Sequence, residues 1–166
     1  MMHRLARITH LLAELLVRIA AFGIVLMTAI VGWQVFGRYV LNSTPSWSEE
    51  AALTLMIWYV SLAAAAGVRQ GFHIRIVALE EAVSPGLRRV MQFASNFVVA
   101  GCGAAMLIWG GELVLLTWDH VIPSLGISRG LAYLGLPLSG ALMTLFAGER
   151  MLEVLFPKSV AEEAGA

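Results

Sequence analysis

Few side chains of this 166-residue sequence could do acid–base, nucleophilic or metal chemistry: eleven acids, eleven bases, four histidines and one cysteine. His3, His10, His73 and His120 share no ligand spacing with one another or with Cys102, and one cysteine allows neither an internal disulfide nor the common zinc patterns. No glycine-rich phosphate loop, His-Glu-x-x-His or Gly-x-Ser-x-Gly motif is present. A membrane-embedded protease or transferase keeps acids or histidines within its spans, where the chemistry happens. The long apolar runs here hold Gln34, Gln92, Asn96 and some hydroxyls instead. The expectation is no enzyme: no catalytic residue, no cofactor and no metal.

The charged residues at the ends of those runs admit other roles. Glu14 precedes Arg18 by four residues and shares a polar face with Arg7. It reads as an i,i+4 pair at an interface, not as the buried proton carrier of a small multidrug exporter. Arg38 either reaches headgroup water from the end of its helix or forms a bidentate pair with Glu49 or Glu50 across a short connection. Glu112 reads first as a boundary residue and second as a carboxylate for a cation on a partner. His73 lies in a connection, and Trp47 and Trp118 are suited to anchoring at the membrane interface.

The elements that must position these residues follow from where charge is missing. The chain is 59% apolar and 13% charged, with zero net charge and a mean hydropathy of +0.80. Soluble domains carry about 25% charged residues, and a small domain keeps too much surface to hide so much apolar side chain. A chain with no net positive field is also no nucleic-acid partner. Four uncharged stretches, Ile19–Gly37, Ala51–Val68, Val90–Gly111 and Gly130–Gly148, run 19, 18, 22 and 19 residues. A helix crossing the bilayer needs about 20. An all-α membrane protein with four spans is expected, at about 19–41, 47–68, 90–117 and 130–150.

The ends of the spans carry further signals. Ser46 and Glu49 fit a capping box that starts the second helix after Pro45. The apolar run from Leu113 to Trp118 continues past Glu112, and Pro137 is the one proline inside a span. Residues 1–18 form an amphipathic arm: Arg4, Arg7, His10, Glu14 and Arg18 share one face, and leucines fill the other. It lacks the pattern of a cleavable signal peptide. Residues 19–156 make one four-helix domain, and 157–166 a short polar tail. Nine of the eleven bases fall on the side of both termini, and only Arg38 and Arg129 on the other. The positive-inside rule then places both termini in the cytoplasm.

Small residues four apart mark packing faces: Gly140, Thr144 and Gly148; Asn96, Ala100 and Ala104; Ala63 and Gly67. The segment Val121–Ile127 is apolar for an exposed connection, and so is expected at the membrane interface or beneath a partner. Four helices without a repeated half or a polar midplane leave little room for a self-contained transport site.

Several runs, in this order and spacing, resemble one family. They are Arg38-Tyr39-Val40; Pro45-Ser46-Trp47-Ser48-Glu49-Glu50; and Gly67, Arg69, Gly71, His73 and Ile74. Pro85 with Arg88 and Arg89, then Pro123, Leu125, Gly126 and Ile127, then Leu136-Pro137, follow. Over about residues 15–155 the chain resembles the small membrane subunit of tripartite ATP-independent periplasmic (TRAP) transporters. Ser128 stands where many members have proline. The resemblance implies a bacterial inner-membrane scaffold for a large membrane subunit, in a heterodimer served by a periplasmic solute-binding protein. It implies uptake of a carboxylate-bearing solute driven by an ion gradient. Arg38, Trp47, Glu49, Glu50, Arg69, His73, Glu112 and Pro137 are then the candidate structural or interface residues. A small homo-oligomeric exporter and an assembly factor for another membrane complex are the alternatives. The solute, the coupling ion and the helices that face the partner stay open at this level.

Overall fold

The computed structural model describes residues 2–70 and 84–155. Its helices are α1 (Met2–Tyr39), α2 (Ser46–Gln70), α3 (Pro85–Thr117), α4 (Arg129–Tyr133) and α5 (Gly135–Leu155). A small antiparallel hairpin, β1 (Val121–Ile122) and β2 (Ile127–Ser128), separates α3 from α4. Four helical stretches are long and apolar enough to cross a membrane: Thr9–Tyr39, Ser46–Gln70, Gly86–Thr117 and Arg129–Leu155. The amphipathic arm is no separate element, because α1 runs unbroken for 38 residues. At 1.5 Å per residue it is about 57 Å long, nearly twice a bilayer core.

The helices form an open array. α1 packs on α2, α2 on α5, and α5 on α3. Half of the apolar window of the last span is buried within the chain, against 11% for α1 and 17% for α3. The two outer helices therefore leave most of their apolar surface to something else. The buried core, Ala13, Leu16, Leu62, Ala65, Ala66, Val68, Met143, Phe146 and Ala147, lies toward the end that carries the N-terminal arm.

Small residues set the tightest crossing. A Cβ on Gly140 would stand 2.6 Å from both the Gly103 carbonyl oxygen and the Leu107 nitrogen, and one on Gly103 would stand 2.7 Å from Thr144 Oγ1. α3 and α5 thus meet backbone to backbone, the arrangement that lets helices gain dispersion contacts in lipid. Of the expected small-residue faces, Gly140 and Thr144 serve this contact, whereas nothing lies within 4 Å of a Cβ on Gly148 or Gly67.

The connection from α1 to α2 is tight because α1 ends on a glycine-assisted reversal. Ser43 N–H donates to the Gly37 carbonyl (3.0 Å), and Asn42 takes a left-handed φ of 50°. A Cβ on Gly37 would meet Ser43 O at 2.8 Å. Entry into α2 differs from the expected capping box. Ser46 and Glu49 make no side-chain hydrogen bond, and the buried Ser48 hydroxyl donates back to the Pro45 carbonyl instead (2.8 Å).

The fourth span, Arg129–Leu155, is found as expected but contains a break. Pro137 has no N–H to give the Tyr133 carbonyl, and the helix breaks at Leu134, so α4 is one short turn set off from α5. The proline ring fills the notch at Gly110, whose Cβ would be 3.2 Å from Pro137 Cδ. Trp58 Nε1 donates to the Leu131 carbonyl (3.3 Å) and ties α4 to α2.

Ser128 has a definite task in the apolar loop. Its hydroxyl donates to the Trp118 carbonyl at 2.5 Å and accepts from Gly130 N–H at 3.1 Å, so one side chain closes α3 and opens α4. Ser128→Ala is expected to cost about 1–2 kcal/mol. Amide exchange at Gly130 should then accelerate well ahead of exchange in α5; an unchanged rate at Gly130 would contradict this role.

Candidate functional site

The described residues hold three ion pairs, and one of them is buried. His10 and Arg18 flank Glu14 at 3.6 and 3.8 Å on the exposed face of α1. Glu14 is 44% exposed there and has a basic side chain on either side of it. The third pair joins two spans. Arg69 Nε, at the end of α2, lies 3.5 Å from Glu149 Oε2 on α5, with the side chains 15% and 8% exposed.

Three helices converge on that pair. Thr9 of α1, itself buried, donates its hydroxyl to Glu149 Oε1 (3.1 Å) and accepts from Arg69 Nε (3.3 Å). Arg150 Nη2 donates to the Arg69 carbonyl (2.9 Å). That bond answers one of the carbonyls left unpaired where α2 ends, and puts a cation at the negative end of its dipole. Charges taken from water are retained only where partners compensate them, and here the compensation comes from α1, α2 and α5 together. The cluster fixes the arm of α1 to the bundle. Beside it a cavity of about 470 Å³ opens, lined by His10, Ala13, Glu14, Arg69 and Gln70.

At the opposite end the sequence candidates sit near one another without bonding. Arg38 makes no ion pair with Glu49 or Glu50. The reason is angular: Gly37 faces the reversal, and the next residue is turned by about 100° around the helix, which leaves Arg38 exposed. Glu49 is exposed, and half-buried Glu50 instead lines a cavity of about 170 Å³ with Thr54, Arg129 and Tyr133. Trp47 is 41% exposed, and Glu112 is exposed on α3. Pro137 is buried against α3, and His73 lies outside the described residues.

Of the seven candidates among the described residues, then, Arg69 alone belongs to the buried cluster. Its partners Thr9 and Glu149 went unmarked in the sequence. A signal was present: Arg69 and Glu149 end the second and fourth uncharged runs, at the same end of two parallel helices and with opposite sign. No group of three or more metal-ligating side chains occurs among the described residues.

Comparison with known proteins places this architecture. The family model of the DctQ component of tripartite ATP-independent periplasmic transporters matches residues 27–156. The sialic acid TRAP transporter small permease protein SiaQ of Vibrio cholerae is 25% identical over 137 residues, covering 78% of this chain and 73% of that one. The C4-dicarboxylate TRAP transporter small permease protein DctQ of Rhodobacter capsulatus is 30% identical over 118 residues, covering 66% and 48%. The ectoine TRAP transporter small permease protein TeaB of Halomonas elongata is 28% identical over 144 residues, covering 84% and 73%.

Proposed function

The chain belongs to the family of the TRAP-transporter DctQ component, a membrane subunit, and from that premise we propose that it scaffolds a large membrane subunit during solute uptake. The open array carries this reading. Outer helices α1 and α3 present long apolar faces that the described residues do not cover, while the charged side chains that bond across helices gather at one boundary. A moving transport domain needs a static body to work against. Helices pinned by the Arg69–Glu149–Thr9 cluster and the Gly103–Gly140 crossing supply one.

In this reading both termini face the cytoplasm of a bacterial inner membrane, since nine of the eleven bases fall on their side. The hairpin end then faces the periplasm and a solute-binding protein, with Arg38, Trp47, Glu49 and Glu50 exposed or half-buried near it. Relatives named for sialic acid and C4-dicarboxylates support a carboxylate-bearing solute, carried inward by an ion gradient.

Purification in mild detergent tests the role. The chain should co-purify with a much larger polytopic protein, and proteoliposomes should take up solute only when the chain, that protein and the binding protein are combined. Uptake by this chain alone would end the scaffold reading.

A further inference from the structure

We propose that the cavity between the arm of α1 and the end of α2 is a headgroup site for a phospholipid bearing both phosphate and ammonium. Its lining carries both signs: the Arg69 guanidinium and the Glu14 carboxylate, with the Gln70 amide and the His10 imidazole beside them. Arg69 commits Nε to Thr9 and Glu149. Its two terminal nitrogens make no hydrogen bond to the described residues, which leaves a fork suited to phosphate oxygens. Glu14 holds its two partners at 3.6 and 3.8 Å, and a carboxylate has acceptor capacity beyond them for a primary ammonium.

Depth points to a lipid. Arg69 is the first charge after the uncharged run of α2, so the cavity sits where the apolar span gives way to polar residues, the level of headgroups. Small and exposed apolar residues lie on both helices toward the middle of the span. Gly67 and Ala63, three and seven residues before Gln70, lie near its face of α2. Ala63 is exposed, and no atom of the described residues lies within 4 Å of a Cβ position on Gly67. On α1, Val17 follows Ala13 and Glu14 by one turn and is 38% exposed. A cavity of both signs at headgroup level, with exposed apolar residues of α1 and α2 one turn or more below it, fits a headgroup with an acyl chain beneath; a soluble anion would use the cavity alone.

Native mass spectrometry of the full chain released from nanodiscs of equal phosphatidylethanolamine and phosphatidylcholine tests this. One phosphatidylethanolamine should be retained in preference. Glu14→Gln should lower that preference severalfold, because it removes the group facing the ammonium. Ala63→Leu with Gly67→Leu should reduce retention of either lipid while leaving the unfolding midpoint unchanged, since Ala63 is exposed and no described residue lies within 4 Å of a Cβ on Gly67. Full retention in the doubly filled variant, or no headgroup preference in the wild type, would overturn the assignment. So would inorganic phosphate alone protecting the chain from unfolding as well as the lipid does, which would mark a soluble-anion site. Retention is read without transport, so it stands or falls apart from the scaffold role.

Discussion

Glu149→Ala should lower the stability of the chain by about 3 kcal/mol, the lower part of the range for breaking a buried ion pair. The lower part applies because Arg69 keeps 15% of its side chain exposed and water can partly solvate the orphaned guanidinium. Thr9 would lose its bond to Glu149 in the same step, a tie between α1 and α5. In thermal unfolding of the detergent-purified chain the midpoint should fall by about 10 °C. Replacing both partners, Arg69→Met with Glu149→Met, should recover much of that loss, because no uncompensated charge stays buried. A single variant that unfolds like the parent, or a double variant no better than the single one, would show that the pair does not hold the helices together.

Gly140→Leu is expected to be at least as damaging, by a different route. Its Cβ alone would stand 2.6 Å from backbone atoms of α3, which cannot rotate away as a side chain can. Ordinary overpacking costs about 1–3 kcal/mol, and a fixed backbone neighbour pushes the cost upward. The expected result is separation of α3 from α5, read as loss of a cross-link between cysteines placed at Ala100 and Thr144, where the two helices touch. Gly101→Ala and Gly111→Ala on α3 meet no atom within 4 Å. They should leave the cross-link intact and raise stability slightly, since alanine is the better helix former. Equal damage at Gly101 and Gly140 would remove the close crossing as the cause.

Much of the fold was legible because a bilayer imposes simple rules. Uncharged runs of fixed length must be helices, since lipid offers no partner for an open backbone, and all four spans are found where charge is missing. The errors fall where local chemistry competes. Pro137 does lie within one span, Arg129–Leu155, but the break at Leu134 that divides its helix into α4 and α5 went unread. Ser46 and Glu49 have capping-box spacing, yet Ser48 makes the bond. The site was less legible than the fold: Arg69 was singled out with no partner named for it, and Arg38 was offered partners that the structure does not give it.

What the sequence determined alone was the number of spans and about where each begins and ends, because these depend on one helix at a time against lipid. Only the tertiary structure decided that Arg69 meets Glu149 and Thr9, that Gly140 crosses Gly103, and that α1 and α3 lie outermost. Those facts depend on which helix faces which, and hydropathy carries no azimuth: in a membrane every face of a span is apolar, so the rotation of each helix is settled by small residues and a few buried polar bonds that become specific only in pairs.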